Sequence, residues 1–253
     1  MTRLLTPEDR KEWTQTLETH FAPTYGARVV DVICEHGPRR SVRDSEPETV
    51  LELFCAGVRA GCFGPIVAPG AQAAVAHERT ALANHAFRVA AVLTLPPVHP
   101  VALRCLARMT YACFGALGWS LRERASLAKA TADELSDELP VGPAPWALPT
   151  TDVDTKYATI EVVVEAGGEE RVATALETAL RGWAGLLGAG AFPSRGESFS
   201  RGGFEGMQNL FADEFTARFS PLSAGPLGWL ALGSALKHVS DHICPIRQVK
   251  VRP

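Results

Sequence analysis

The residue pattern that comes nearest to a chemical site is a pair of histidines close to the C-terminus. His238 and His242 are separated by three residues, and Cys244 follows two positions later. Side chains at positions i and i+4 of a helix share one face, so both imidazoles could reach one metal ion. The Cys244 thiolate would be a third ligand. The spacing therefore predicts a metal site at His238, His242 and Cys244.

A structural role is the alternative for the same histidines. The pattern lacks the glutamate of the HExxH motif, so it is not that of a metalloprotease. Both histidines lie beside the apolar stripe of this helical segment rather than on it, and could be boundary residues that hydrogen-bond to their neighbours. The stripe consists of Trp229, Leu232, Leu236, Val239 and Ile243. Which cofactor, if any, the chain uses does not follow from this pattern.

A second candidate site is the glycine-rich segment from Gly185 to Gly206, which also contains Arg195 and Arg201. Backbone amides in such a loop can surround a phosphate, and arginines can clamp it, so Arg195 and Arg201 are candidate anion-binding residues. The segment follows a helix rather than a strand and lacks the GxxxxGK[ST] order, so it is neither a dinucleotide fingerprint nor a P-loop. A helix end followed by a flexible hairpin is the simpler interpretation.

Two basic clusters raise the question of nucleic-acid binding. They are Arg39, Arg40 and Arg43 in one loop, and Arg247, Lys250 and Arg252 near the C-terminus. CRISPR RNA-processing proteins use paired ferredoxin-like domains, but they carry a glycine-rich loop between the last helix and the last strand. Here that junction is Ile243-Cys244-Pro245, and the predicted strands lack an aromatic platform for single-stranded RNA. Solvated arginines, without a nucleic-acid partner, are the preferred interpretation.

The elements that would position these residues are clearest in the C-terminal part. Apolar alternation predicts a strand over 157–165, and strands are also expected around 215–219 and over 246–252. The stripe Val172, Leu176, Ala179, Trp183 and Leu187 predicts a helix, and a second helix is expected over 226–242. If residues 197–204 supply one more strand, the order from residue 155 is βαββαβ, the ferredoxin-like arrangement.

The N-terminal part can be laid over the same plan. It predicts a first helix ending near Phe21, strands over 28–34 and 87–95, a helix from Pro47 and an apolar helix over 101–117. A capping box at Ser120 begins a charged surface helix. We therefore expect an α+β fold with two tandem related halves, comprising domains 1–140 and 151–253 joined by a proline-rich linker at 141–150. The alternative is that any mixed α/β chain can be divided in this way.

Composition limits the cellular setting and the partners. The chain has 253 residues, a net charge of −3 and six cysteines. This charge gives no global reason for a nucleic-acid or membrane partner. The charged N-terminus is not a conventional signal peptide, and the apolar runs are shorter than the roughly 20 residues of a spanning helix. These features predict a soluble cytoplasmic protein with reduced thiols.

Two functional hypotheses of different class remain. The first is a non-catalytic bacterial binding protein that recognises a protein partner, of the inhibitor or immunity type. It rests on the absence of a complete catalytic motif and on an apolar surface that Trp119, Trp146 and Trp229 would supply, since tryptophan is enriched at interfaces. The second is a small-molecule or metal-binding enzyme that uses the cleft between the two halves, with the histidine pair as its first residues to test.

Overall fold

The computed structural model of the chain describes residues 26–35, 47–64, 73–81, 86–95, 144–165, 170–192 and 201–253, together with residues 102, 105, 106, 109, 120 and 121. Several predictions lie outside these residues: the N-terminal helix, most of the charged helix after Ser120, and the residues Arg39, Arg40, Arg43, Trp119 and Arg195. The chain divides into two compact units. The first unit comprises residues 1–55 and 67–136, and the second comprises residues 56–66 and 137–253.

An antiparallel sheet belongs to the first unit, with its strands in the order β2-β3-β1-β4. The predicted strands over 28–34 and 87–95 are confirmed by β1 and β3, which pair along their whole length. Because each strand covers all ten residues of its partner, the register between them is continuous. The four strands are β1 Gly26–Glu35, β2 Ala74–Ala81, β3 Ala86–Leu95 and β4 Ser120–Leu121.

Two of these strands differ from what the sequence predicts. β2 is rich in alanine and charged residues, which have low strand propensity, and it forms as a partner of β3, with Ala74 opposite Thr94. Ser120 and Leu121 are expected to begin a charged helix, but they pair with Glu35 and Cys34 of β1 instead. That expectation is wrong at these two residues, because a backbone partner is available and outweighs the local capping signal.

The helix α1, Pro47–Arg59, begins at the proline where the sequence predicts it. Its apolar residues Val50, Phe54 and Val58 recur every four positions and are all buried. The division between the two units falls within this helix, after Cys55. Buried helical residues also occur at Ala102, Cys105, Leu106 and Met109.

The second unit has a five-stranded antiparallel sheet and two further helices. In that sheet β6 lies between β8 and β9, while β8 also pairs with β5 and β7. From β6 onward the elements follow one another in the order β-α-β-β-α-β. Their bounds are β5 Val153–Thr155, β6 Ala158–Val164, α2 Glu170–Gly188, β7 Arg201–Phe211, β8 Glu214–Ala224, α3 Pro226–His242 and β9 Ile246–Arg252.

Hydrophobic periodicity explains which faces of this unit are buried. Alternate residues of β6, from Ala158 to Val164, are buried as the sequence predicts. All five residues of the predicted stripe on α2 are buried as well. The centre of the core is aromatic: the Trp183 ring lies 5.6 Å from Phe219 and 5.4 Å from Trp229. The Trp183 indole Nε1–H donates to the carbonyl of Gly228 at 2.7 Å, so the polar group of this buried side chain is satisfied.

The glycine-rich segment is partly a strand. The sequence allows a strand at 197–204, whereas β7 begins at Arg201 and continues to Phe211. Glycine is required where β7 approaches its neighbours: a Cβ on Gly203 would lie 2.0 Å from the carbonyl oxygen of Ser220, and one on Gly202 would lie 2.4 Å from that of Ala184. These close approaches let a glycine-rich sequence pack beneath α2, although its composition is typical of a loop.

Two of the tryptophans proposed to supply an apolar surface are buried instead, and for Trp229 this agrees with its predicted place on the apolar stripe of its helix. Trp229 is 1% exposed, and Trp146 is 8% exposed with its Nε1–H donated to the carbonyl of Ile246 at 3.2 Å. The hypothesis that Trp146 and Trp229 form an interaction surface is therefore wrong, because both side chains are used in the core. None of the helices that the structure describes is both long and apolar enough to cross a membrane.

Candidate functional site

The C-terminal half of α3 brings the two predicted histidines together. Their ring centroids are 4.5 Å apart and the rings are tilted by 35°. His242 is exposed, and its Nδ1 lies 2.9 Å from the backbone carbonyl of His238, one turn earlier. That contact places the proton on Nδ1 and leaves a lone pair on Nε2 when the ring is neutral. His242 therefore has the orientation that a metal-binding imidazole commonly shows.

The third predicted ligand does not join them. Cys244 is buried, and its thiol points to the carbonyl of Pro245 at 3.9 Å. Within the described parts of the chain, no group of three or more histidine, cysteine, aspartate or glutamate side chains is placed to hold a metal ion. The structure thus unites two of the three predicted ligands, and metal binding at His238, His242 and Cys244 stays a prediction.

His238 has an unusual environment for a polar side chain. Its Nδ1 atom is buried and has no hydrogen-bond partner among the residues described. Burial lowers the pKa of His238, the neighbouring His242 lowers it further, and Asp241 acts in the opposite direction. The neutral imidazole is therefore favoured at this position, because burial removes water that would stabilise the charged ring.

The loop after α1 explains why His238 is partly covered. Gly61 has a φ of +75° and lies directly on the histidine, since a Cβ there would be 2.7 Å from the His238 Cβ. Ser234, one turn earlier on α3, donates its hydroxyl proton to the carbonyl of Gly61 and accepts from the amide of Gly64 at 3.0 Å. One buried serine thus holds both ends of a four-residue turn, and the histidine lies against it.

The predicted anion site is only partly observable. Arg201 is exposed at the first position of β7, and Arg195 lies outside the described residues. Anion binding by Arg195 and Arg201 stays a prediction.

The exposed feature that sequence reasoning missed is the end of the β7–β8 hairpin. Residues 210–214, here called the tip, contain Leu210 and Phe211, which are 57% and 66% exposed. A two-residue turn of Ala212 and Asp213 follows, and Phe211 is paired across the hairpin with Glu214. A two-residue turn directly after two large apolar residues is the sequence signal that could have indicated it.

The tip differs from other exposed large apolar residues of the second unit, because its two such residues are adjacent in sequence. Tyr157 and Leu230 are also exposed, at 60% and 46%, but each stands alone. Single exposed apolar residues are ordinary on protein surfaces, whereas large contiguous apolar patches are typical of interaction sites.

A shallow depression on the outer face of the second unit's sheet adjoins the tip. Its volume is about 260 Å³, and Leu210 and Glu214 belong to its wall. On the opposite side of the depression, the Arg252 guanidinium donates to the Glu161 carboxylate at 2.9 Å. Both polar and apolar residues form the rest of the wall: Val162, Val163, Phe215, Thr216, Gln248 and Lys250. Among the described residues that line this depression, no set of catalytic side chains is gathered.

Comparisons with known proteins give no family. No protein-family model matches the chain, and no curated protein matches it. An unknown protein from Galdieria sulphuraria of known crystal structure shares 14% identity over 90% of this chain and 98% of its own, with a TM-score of 0.21. A Cas6 product complex shares 14% identity over 85% of this chain and 93% of its own, with a TM-score of 0.23. At these TM-scores neither likeness bears on fold or function.

Proposed function

We propose that this chain is a non-catalytic binding protein of the inhibitor or immunity type, which acts inside a bacterial cell and recognises a protein partner through the hairpin tip. The observation that carries this proposal is the pair Leu210 and Phe211, adjacent in sequence and both more than half exposed at the turn end of the β7–β8 hairpin. When a partner covers two neighbouring large apolar side chains, the free energy falls, because their surface is removed from water.

The expected contribution of this pair to binding is large. Aromatic residues at the centre of an interface are frequent hot spots, and truncating one costs about 2–4 kcal/mol of binding free energy. Since about 1.4 kcal/mol corresponds to a tenfold change in Kd, loss of Phe211 should weaken a complex by about 30-fold to 1,000-fold. The tip can be changed without disturbing the core, because neither side chain is buried in it.

We also propose that the two units are related ferredoxin-like domains. Support comes from strand order: β2-β3-β1-β4 in the first unit corresponds to β7-β8-β6-β9 in the second, position by position. In both units the first strand of the set is central and pairs with the third and the fourth. Such domains host many unrelated activities, so this relation leaves the argument for function to the tip.

The test is site-specific photocross-linking in the cells that produce the protein. A photoreactive p-benzoylphenylalanine replaces Phe211 in one variant and Tyr157, the matched exposed aromatic, in the other. We expect one adduct of fixed mass from position 211 and none from position 157. The double substitution L210S/F211S should prevent co-purification of that same protein with a normally folded chain. Equal labelling from both positions, or none from position 211, would show that the tip is not the recognition surface.

The alternative, a metal-binding or small-molecule enzyme, is supported by the proximity of His238 and His242. Native mass spectrometry of untagged protein from its own host distinguishes the two proposals. An added mass of one metal ion that disappears in the H238A/H242A variant would favour the alternative. A second protein at fixed stoichiometry, retained in that variant, would favour recognition of a protein partner. Circular dichroism of the variant verifies that the helix is intact.

A further inference from the structure

We infer that the partner presents an apolar cleft with a basic rim, so that lysine or arginine side chains meet the carboxylates around the hairpin tip. This inference rests on the proposed function, because it specifies the partner of the same surface. The carboxylates are those of Glu165, Asp213 and Glu214, and none of them is buried.

Backbone pairing places the three acids beside the apolar pair. Glu214 is opposite Phe211 in the hairpin and opposite Val163 of β6 on its other side. The amide of Val164 donates to the carbonyl of Asp213 at 3.0 Å, which brings the turn against the end of β6, where Glu165 follows. The three acidic residues therefore surround one end of the sheet together with Leu210 and Phe211.

These acids lack the ion pairs that three other acids of the second unit make. Glu177 pairs with Arg181, Asp241 with Lys237 and Glu161 with Arg252. Within the residues that the structure describes, no cation pairs with the carboxylates of Glu165, Asp213 or Glu214. Arg247 is near, but its guanidinium donates to the backbone carbonyl of Glu165 at 3.4 Å. The negative charge at the tip is therefore available to a partner.

The chemistry of the partner follows from this charge. When Phe211 enters a cleft, the neighbouring carboxylates lose part of their hydration, and an unpaired charge in an interface is costly. A neutral or acidic rim would therefore weaken binding, whereas basic side chains would replace the lost water and accelerate association. Nucleic-acid backbones carry the same sign of charge as the tip, so they are disfavoured as occupants of this surface.

The experiment combines neutralising substitutions with the photocross-link from position 211. A triple variant, E165Q/D213N/E214Q, removes the three charges and keeps the shape of each side chain. E205Q is the matched control, because Glu205 is exposed on β7 and, within the described residues, also has no ion pair. Cross-linking yields are measured between 50 and 300 mM NaCl, and a carbodiimide, which joins carboxylates to lysine amines in direct contact, is applied to the complex.

We expect the yield of the adduct to fall about five-fold in the triple variant at 50 mM NaCl and to stay unchanged in E205Q. The yield of the unsubstituted chain should fall with salt, and that of the triple variant should not. If lysines form the rim, the peptide that contains the tip should be found in the carbodiimide cross-linked products. A triple variant that labels as well as the unsubstituted chain at every salt concentration would overturn the basic rim while leaving the tip as the docking surface. Absence of any adduct from position 211 in the unsubstituted chain would overturn both proposals.

Discussion

Replacing Ser234 with alanine should release the turn that follows α1. The Ser234 hydroxyl donates to the carbonyl of Gly61 and accepts from the amide of Gly64 at 3.0 Å, and the residue is 3% exposed. Loss of two hydrogen bonds at about 1 kcal/mol each gives about 2 kcal/mol. The cost is not larger, because the Gly64 amide keeps a second, longer contact of 3.3 Å with the Gly61 carbonyl.

Hydrogen exchange followed by mass spectrometry measures this effect locally. An opening equilibrium changed by about 2 kcal/mol corresponds to about 30-fold faster exchange of the amides in residues 57–64. Ser223→Ala is the matched control, because Ser223 is also buried but its hydroxyl makes no hydrogen bond within the described parts of the chain. The control should change exchange there by less than about threefold. If the Ser234→Ala variant is folded and its amides in residues 57–64 exchange at an unchanged rate, the Ser234 hydroxyl of α3 does not hold this turn.

Two other predictions concern the same helices. Gly57→Ala should lower the free energy of unfolding in urea by about 1–2 kcal/mol, because its Cβ would lie 2.4 Å from the Leu186 side chain in the core, whereas Gly188→Ala, which meets nothing within 4 Å, should be neutral. Stability should also fall as the pH decreases from about 6.5 through the lowered pKa of His238, since the unfolded chain takes up that proton more readily than the folded chain. The difference in unfolding free energy between the unsubstituted chain and His238→Gln should depend on pH in this window, and a constant difference would contradict the buried environment of the histidine.

Local periodicity was sufficient where a strand or helix buries one regular face. The alternation in β6 and the stripe on α2 identified the buried residues one by one, because the core selects apolar side chains at fixed intervals. The bounds of α3 and β9 were likewise predicted from their sequences. In these elements the information lies within a few neighbouring residues.

Where structure depends on distant partners, the same reasoning was insufficient. β2 and the N-terminal part of β7 are strands because β3 and β8 pair with them, although β2 has low strand propensity and β7 contains glycines near its start. Ser234 has a structural role only because its hydroxyl bonds to Gly61 and Gly64, which are more than 160 positions away in sequence. The histidine pair was found from its spacing, but the burial of one ring by Gly61 could not be inferred from that spacing.

The second unit separates the residues that stabilise it from those proposed to recognise a partner. Trp183, Phe219 and Trp229 are almost completely buried, and Trp183 contacts both of the others. Substitutions there would destabilise the folded chain, so a loss of binding would not report on recognition alone. Leu210 and Phe211 contribute little buried area, so replacing them should leave the melting temperature unchanged or raise it slightly. If the variant no longer binds the partner but its melting temperature is unchanged, the tip acts in recognition. If partner binding and melting temperature both fall, the tip is part of the folded core.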